Sequence, residues 1–301
     1  MSLIDCVWQQ DGGATVVLRS SSDDTANLGK EFECSLVAFS FESSQKVEFE
    51  QFVRDRAVKA LAVKNGGGVL LFLLSALLSR GAEGVRSDMD VRESPLIGTI
   101  STDCGQLSTD FGPFSTEFGL RFGPGGHGYC QQELVNLLLV GRAHSNVFDG
   151  VVEMGDDNSL RGIPAVSDCG YLTLFEALNP AHIQVGLHYK QPKRPIFVVC
   201  SESHYSVLFA TDADTGSLPG ASEAGTFDIR YYDELGRQDE AVALTLTMVA
   251  ETVAELEGRD AEREAEAAAA WKEKSVPPLE LVLRTRWPAA TVDWNGADPI
   301  L

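Results

Sequence analysis

The stretch PIFVVCSESHYSVLFA, residues 195–210, decides the fold expected for this chain. It contains two apolar runs, residues 195–200 and 204–210, which are separated by Ser201, Glu202 and Ser203. Aromatic and β-branched residues with a period of two are typical of strands, and a short polar connection joins two such strands into a hairpin. The stretch therefore predicts an antiparallel hairpin with His204 at the start of its second strand.

The rest of the chain divides into a mainly helical first half and a second half of strands. Helical spacing of apolar residues predicts helices, and alternation predicts strands. The predicted helices cover residues 47–63, 69–80, 127–140 and 171–178, and the further strands cover 227–233, 241–247 and 279–287. The βαβ alternation of a parallel sheet does not recur, so the order predicts an α+β fold in a single domain over residues 1–301.

Two segments interrupt this pattern as surface insertions. Residues 101–121 contain a tandem repeat, STDCGQL, STDFGPF and STEFGLR, and glycine-rich residues follow it as far as residue 126. Such a polar, glycine-rich segment cannot form a core unaided. The second insertion, residues 251–274, is rich in alanine and glutamate and predicts a solvated helix.

The charge of the chain limits its partners. Lys and Arg number 24 against 44 Asp and Glu, which gives a formal net charge of −20. Nucleic acids and anionic membranes are bound by clustered cations, so this balance disfavours both and favours a basic protein partner. Simple solubility is the alternative explanation of the charge.

The cysteines and the apolar segments indicate the compartment. The six cysteines lie far apart without a CxxC pair, so no zinc site, other metal site or disulfide framework is predicted, and no cofactor is expected. The opening MSLIDCVWQQ lacks the basic start and apolar core of a secretory signal. The most apolar run, residues 69–78, is shorter than the roughly 20 residues that span a bilayer. We therefore expect an intracellular protein, cytoplasmic and possibly also nuclear, with reduced thiols.

His204 is the candidate general base. In a strand it shares one face with Ser206 and Leu208, so its imidazole is expected at the rim of a sheet. A histidine there can also serve only as a structural hydrogen-bonding group, and a histidine base usually activates a cysteine or serine. The other histidines, His144, His182 and His188, are expected to be structural, and His127 to cap a helix or occupy a turn.

The candidate thiols are Cys130, Cys200 and Cys6. Cys130 lies at the start of a predicted helix, where the helix dipole lowers a thiol pKa, but it can equally be a small buried apolar residue. Cys200 is expected to face away from His204 or into the core, and Cys6 lies in a weakly patterned segment. None has the glycine-bracketed turn and nearby amide of an activated thiol.

Four blocks of the sequence resemble the MINDY deubiquitinases, in the branch formed by the third and fourth members and closest to the fourth. The blocks are GHGYCQQELVNLLLVGRAHSNVFDG, LRGIPAVSDCGYLTLFEAL, RPIFVVCSESHYSVLF and VPPLELVLRTRWPAATVDWNGADPIL. The resemblance runs from about residue 60 to Leu301. It implies a papain-like cysteine isopeptidase that removes ubiquitin from proteasome-targeting polyubiquitin chains, with His204 as its general base.

The same resemblance exposes a missing nucleophile. The family places its cysteine in a Gly-Gly-Pro-Cys-Gly turn that opens a long helix, with a glutamine shortly before it for the oxyanion. This chain has Gly12-Gly13-Ala14-Thr15 and no such turn. We therefore expect the nucleophile segment to precede residue 1 and the papain-like fold to be incomplete at its N-terminus.

Three interpretations of the chain follow from this comparison. The chain is the C-terminal part of a deubiquitinase catalytic domain, a ubiquitin-binding pseudoenzyme that lost its nucleophile, or an enzyme that recruited Cys130. Asp228 and Asp233, on the strand predicted after the hairpin, are the candidates for a carboxylate that orients His204.

Overall fold

The structure is a computed structural model, and its described residues form two compact units. It describes residues 7–9, 12–20, 36–63, 67–99, 128–155, 158–201, 204–210, 218–221, 223–234, 236, 238–249, 260–288 and 290–299. The N-terminal unit comprises residues 1–97, 130–146 and 150–163, and the sheet unit comprises residues 98–129, 147–149 and 164–301. The first insertion, residues 101–126, and His127 lie outside the described residues.

The N-terminal unit mixes short strands with helices. Its elements are β1 (Ala14–Arg19), β2 (Leu36–Phe41), α1 (Lys46–Phe52), a π-helical turn (Val53–Ala57), α2 (Val58–Leu61), α3 (Gly68–Arg80), α4 (Ala82–Asp88), β3 (Ile97–Thr99), β4 (Gly128–Cys130), α5 (Gln132–Val140), β5 (Val151–Gly155) and β6 (Asn158–Arg161). Of these, β3 and β4 also include residues assigned to the sheet unit. The helices predicted over 47–63 and 69–80 are confirmed. The first half was expected to be mainly helical, and it also contains antiparallel strands, because β1 pairs with β2 and β5 with β6.

Helix α3 supports the β1–β2 hairpin through two serines one turn apart. The hydroxyl of Ser75 accepts a hydrogen bond from the backbone N–H of Val17 at 2.8 Å, and that of Ser79 accepts one from Thr15 at 2.7 Å. Residues four apart lie on one helix face, so these two hydroxyls accept hydrogen bonds from backbone N–H groups along one edge of β1. The apolar composition of residues 69–78 favours a buried helix, but its burial is incomplete, because Val69, Leu70, Leu74 and Leu78 are exposed.

The sheet unit is built on six strands in the order β12-β11-β10-β9-β8-β7. Its elements are β7 (Gly170–Thr173), α6 (Leu174–Leu178), α7 (Leu187–Lys190), β8 (Ile196–Ser201), β9 (His204–Phe209), β10 (Gly225–Tyr232), β11 (Val242–Met248), α8 (Asp260–Glu273), α9 (Pro278–Arg286) and β12 (Thr291–Asp293). Neighbouring strands are antiparallel except β7 and β8, which are parallel and joined through α6 and α7. This mixture of helices and sheet fits the predicted α+β class.

The predicted hairpin of residues 195–210 is confirmed as β8 and β9. Their antiparallel register runs from Ile196 opposite Phe209 to Ser201 opposite His204. Phe197 and Val199 on β8 and Leu208 on β9 are fully or almost fully buried in one apolar core. This core fixes the register, because a slip of one residue would turn these side chains to the opposite face.

The strand predicted over residues 279–287 is wrong: residues Pro278–Arg286 form helix α9. Leu279, Leu281 and Leu283 alternate with a period of two only because the helix is buried on most of its surface. Stronger helix signals accompany them, namely a proline at the first helical position, Glu280 in the first turn and basic residues in the last turn. Helix α9 packs against α6, β7 and β8 and supplies much of the core.

Two further helix predictions require correction. Residues 170–173 form the fully buried strand β7, and only Leu174–Leu178 of the segment predicted as a helix are helical, where Thr173 caps α6. A short apolar run does not distinguish a buried strand from a buried helix. The helix predicted over residues 127–140 begins at Gln132 and ends before Gly141, whose φ of 69° terminates it as expected.

The alanine-rich segment of residues 251–274 is more closely packed than its composition indicates. Residues 260–273 form α8, whereas residues 251–259 lie outside the described residues. Ala267, Ala270 and Trp271 are partly buried against the core of the sheet unit. Their spacing of three and four residues gives the helix one packed face, so it is not solvated on all sides.

No single helix among the described residues is both long and apolar enough to cross a membrane. Only α3 and α4 taken together meet the length and composition, and they are bent by 87°.

Candidate active site

His204 begins β9 at the end of the hairpin, and its imidazole contacts a buried carboxylate. Its Nε2 lies 2.8 Å from Oδ2 of Asp233, which follows the last residue of β10. The His204 side chain is 23% exposed and that of Asp233 is 4% exposed. The contact has the distance of an ion pair, although Nε2 does not meet the angular criteria of a hydrogen bond. We therefore treat it as a close electrostatic contact.

The register of the sheet explains why these two residues meet. Tyr231 on β10 lies opposite Leu208 on β9, so both side chains project from the same face. Counting by two from each residue places Ser206 and His204, and Asp233, on that face as well. The face is the buried one, since Ser206, Leu208 and Tyr231 are at most 4% exposed.

Two polar side chains adjoin Asp233. Oε1 of Gln238, in the turn that leads to β11, accepts a hydrogen bond from the backbone N–H of Asp233 at 2.6 Å. Burial is the main cause that raises the pKa of the Tyr231 hydroxyl to about 12, while Ser206 lowers it and the Asp233 carboxylate raises it further. Tyr231 therefore stays neutral at physiological pH.

The second candidate carboxylate, Asp228, lies elsewhere on the same strand. It occupies the opposite face of β10 from Asp233 because the two positions differ by an odd number. Its Oδ1 accepts a hydrogen bond of 2.6 Å from Oγ1 of Thr245, its partner on β11. The structure thus brings Asp233, and not Asp228, to His204.

The cysteines show no activated thiol among the described residues. Cys130 ends β4 and is exposed, but partial desolvation raises the pKa of its thiol. Activation as a nucleophile requires a lowered pKa. Cys200 is buried and lies opposite Tyr205, so it projects from the face of the hairpin away from His204. Cys169 is buried, and the remaining cysteines, Cys6, Cys34 and Cys104, lie outside the described residues.

The other described histidines have local partners. Nδ1 of His144 lies 2.5 Å from the carbonyl oxygen of Gly162, and Nδ1 of His182 lies 2.8 Å from Oδ1 of Asn179. Nδ1 of His188 lies 3.4 Å from Oδ1 of Asp149, which also accepts the backbone N–H of His188. Nor do the described residues bring together three or more His, Cys, Asp or Glu side chains that could hold a metal ion.

The sequence did not single out Ser206, Tyr231 or Gln238 as members of this site. The available signal was the spacing of Tyr231 and Asp233, which share a strand face. Gln238 carried no signal, because its contact depends on how the turn between β10 and β11 folds back.

The arrangement defines a class of site. A buried carboxylate against Nε2 orients the partly exposed imidazole ring and directs Nδ1 away from the carboxylate. A carboxylate placed against an imidazole in this way is what hydrolases with a nucleophilic side chain use to orient a histidine base.

The chain belongs to the MINDY-3/4 deubiquitinase family. Residues 2–296 match the family described as "Deubiquitinating enzyme MINDY-3/4, conserved domain". The chain is 39% identical over 309 residues to the human "Probable ubiquitin carboxyl-terminal hydrolase MINDY-4", a match that covers 100% of this chain. It is 31% identical over 231 residues to the Bos taurus "Ubiquitin carboxyl-terminal hydrolase MINDY-3", which covers 71% of this chain.

The match extends over only part of these relatives. It covers 34% of human MINDY-4 and 45% of Bos taurus MINDY-3. No solved structure matches the chain.

Proposed function

We propose that the chain forms part of the catalytic domain of a cysteine-type deubiquitinase. The reaction is hydrolysis of the isopeptide bond after the C-terminal Gly-Gly of ubiquitin. The observation that carries the proposal is the contact of 2.8 Å between His204 and the buried Asp233, in a chain whose relatives are named ubiquitin carboxyl-terminal hydrolases.

His204 is the general base of this reaction. Its Nδ1 takes the proton of a cysteine thiol, and the thiolate attacks the isopeptide carbonyl carbon. The imidazolium then gives that proton to the departing lysine amine as the C–N bond breaks, which leaves ubiquitin as a thioester. A water molecule, deprotonated by His204, attacks the thioester; ubiquitin leaves with a free carboxylate and the thiol is restored.

Asp233 orients this base. A carboxylate at Nε2 favours the tautomer that carries its proton on Nε2, so that Nδ1 has a free lone pair. The negative charge also stabilises the imidazolium that forms between the two proton transfers. Burial of Asp233 strengthens both effects, because the surroundings screen its charge less than water does.

We propose that the thiol comes from a segment outside these 301 residues. The sequence contains no Gly-Gly-Pro-Cys turn, and the chain spans about a third of the length of its MINDY-4 relatives. Recruitment of Cys130 is disfavoured by the raised pKa of its thiol.

Three finer properties belong to the same proposal. The substrate is polyubiquitin of the linkage that directs proteins to the proteasome, the complete domain has a papain-like fold, and the protein acts inside the cell. The net charge of −20 supports a basic partner such as the C-terminal tail of ubiquitin. A panel of diubiquitins, one for each linkage, tests the substrate preference directly.

A ubiquitin-binding pseudoenzyme is the second candidate. The absence of a Gly-Gly-Pro-Cys turn from the sequence favours it. Such a protein binds ubiquitin chains without cleaving them, since an imidazole without a thiolate cannot carry out acyl transfer.

A ubiquitin probe with a thiol-reactive C-terminus separates these functions. The proteins to compare are this chain and a longer protein that carries this chain together with a Gly-Gly-Pro-Cys segment. Labelling and cleavage by the longer protein only, both lost in the His204→Ala variant, support the proposal. Labelling of this chain that is lost in Cys130→Ala indicates recruitment of Cys130. Ubiquitin binding without labelling of either protein supports the pseudoenzyme, and neither binding nor labelling overturns all three.

A further inference from the structure

Unsatisfied polar atoms are concentrated beside the His204–Asp233 contact. Among the described residues, six buried side-chain nitrogen or oxygen atoms lack a hydrogen-bond partner. Four of the six belong to this cluster: Nε2 of His204, Oγ of Ser206, the hydroxyl of Tyr231 and Nε2 of Gln238. Buried polar groups in native proteins are nearly always hydrogen-bonded, so such a cluster requires an explanation.

These four atoms belong to residues that adjoin Asp233. The antiparallel register places Tyr231 opposite Leu208, and therefore Asp233 opposite Ser206 on the same buried face. Gln238 contacts Asp233 from the turn through the 2.6 Å hydrogen bond to its backbone N–H. Of the residues in the cluster, only Asp233 carries a negative charge, and an ionised carboxylate is a stronger hydrogen-bond acceptor than a hydroxyl or an amide.

Tyr231 is suited to donate to that acceptor. It is fully buried, and the core of the sheet unit packs around its ring. Burial raises the pKa of its hydroxyl to about 12, and Asp233 is near enough to raise it as well. A neutral phenol has a single proton to donate, and a carboxylate that adjoins it attracts that proton.

We infer that Tyr231 is a positioning residue: its hydroxyl holds the Asp233 carboxylate against Nε2 of His204, while Gln238 holds the backbone of Asp233. The inference rests on the proposed function for its catalytic meaning, but it concerns this chain alone. Tyr231 does not touch the substrate. It acts by limiting rotation of the carboxylate, and thereby fixes the orientation of the imidazole.

A purely structural tyrosine would behave differently. If the hydroxyl were only an unsatisfied group in the core, replacing it with hydrogen would leave the imidazole unchanged and would not destabilise the fold. The environment of His204 therefore distinguishes the two roles, whereas stability alone does not.

The test follows the Nε2–H proton of His204 by nuclear magnetic resonance in the ¹⁵N-histidine-labelled chain. We expect this proton to exchange slowly in the wild type. In Tyr231→Phe we expect this proton to exchange about tenfold faster or more, because losing a hydrogen bond to a charged group commonly changes an equilibrium constant by at least about that factor. Asp233→Asn removes the charged carboxylate and is the reference for complete loss of protection of the His204 proton. Tyr232→Phe is the matched control, because the neighbouring hydroxyl donates to the exposed Glu234. Equal exchange rates in the wild type and Tyr231→Phe overturn the inference.

A second measurement serves if Tyr231→Phe does not fold. In the wild type, the hydroxyl proton of Tyr231 should exchange more slowly than that of Tyr232, and this protection should be lost in Asp233→Asn. Protection that survives in Asp233→Asn overturns the inference. These measurements need neither a thiol nor ubiquitin. If Asp233→Asn alters the His204 proton and Tyr231→Phe does not, only the inference fails; if neither alters it, the proposed role of Asp233 fails as well.

Discussion

His204 and His144 both lie near a buried aspartate, but their surroundings differ. Nε2 of His204 is 2.8 Å from Asp233, whereas Nε2 of His144 is 3.9 Å from Asp88. Asp88 is already bound by both Nε and Nη2 of Arg80, at 2.8 and 2.6 Å, and also accepts the backbone N–H of Ala143. The charge of Asp88 is therefore neutralised by the guanidinium of Arg80, whereas Asp233 lies against the imidazole of His204.

The surroundings of the second ring nitrogen also differ between the two histidines. Nδ1 of His144 is occupied by the carbonyl oxygen of Gly162 at 2.5 Å, so both of its nitrogens face protein groups. His204 has its Nε2 against Asp233 and keeps a side chain that is 23% exposed. A buried carboxylate beside a histidine is thus not enough to indicate a base; the other partners of both groups decide whether the ring can exchange protons.

The largest effect is expected at Asp88, on stability. Asp88→Ala leaves the guanidinium of Arg80, which is 19% exposed, without its carboxylate. Breaking a buried ion pair from one side costs about 3–5 kcal/mol in the free energy of unfolding. Urea denaturation measures the loss. Glu83→Gln is the control, because its contact with Arg92 is exposed and such pairs contribute about 0–1 kcal/mol. Equal midpoints for the two variants would refute the assignment of Asp88 as a structural anchor.

A smaller effect is expected at Asp233, on turnover. In a protein that combines this chain with the proposed thiol segment, Asp233→Asn should lower kcat for diubiquitin about 10- to 100-fold, because a hydrogen-bonded or paired charge contributes about 1.5–3 kcal/mol. Asp228→Asn should leave kcat unchanged, since that carboxylate binds Thr245 on the opposite face of β10. A loss of equal size in both variants would contradict the orientation of His204 by Asp233.

His144→Ala should reduce stability modestly and leave turnover intact. The variant loses the contact with Gly162, which is worth about 1 kcal/mol as a typical hydrogen bond. Thermal denaturation and a ubiquitin cleavage assay on the same preparation give both values. A large loss of turnover without a loss of stability would place His144 in the reaction.

The smallest effect is expected at Cys130. Because desolvation raises the pKa of its thiol, the thiolate fraction at neutral pH is lower than for an ordinary cysteine. Alkylation by iodoacetamide should therefore be slow at pH 7 and should accelerate as the pH rises. Cys130→Ser should not change cleavage. Alkylation at pH 7 that is faster than for a free cysteine peptide would show an activated thiol and revive its recruitment.

The hairpin could be predicted from sequence because its side chains alternate between a buried and a more exposed face, as only strands require. Val199 and Leu208 pack in the core while Tyr205 faces outward, so the period of two reflects a sheet with unlike faces. Helix α9 was predicted as a strand because burial on most of its surface removed the helical period, and only Pro278 and the charges at its ends preserved the signal. Strand β7 lost its own period for the same reason, since all four residues are buried.

The candidate site could be predicted only in part. His204 was proposed as the base from its place in the hairpin and from the family resemblance, and the structure places it against a buried carboxylate. Asp233 and Asp228 could not be separated, because the choice depends on the register of β10 against β9. Tyr231 could have been proposed from its spacing to Asp233. Gln238 could not, because nothing local determines where its turn places the amide.

The most direct test of the account compares His204→Ala with His144→Ala in a protein that carries this chain together with the proposed thiol segment. The measurement is the rate of diubiquitin cleavage, with folding of both variants checked by circular dichroism. A general base contributes about 10²–10⁴-fold, so His204→Ala should lose at least about a hundredfold while His144→Ala stays within a few-fold of the wild type. Cleavage by His204→Ala at the wild-type rate would contradict the assignment of His204 as the base.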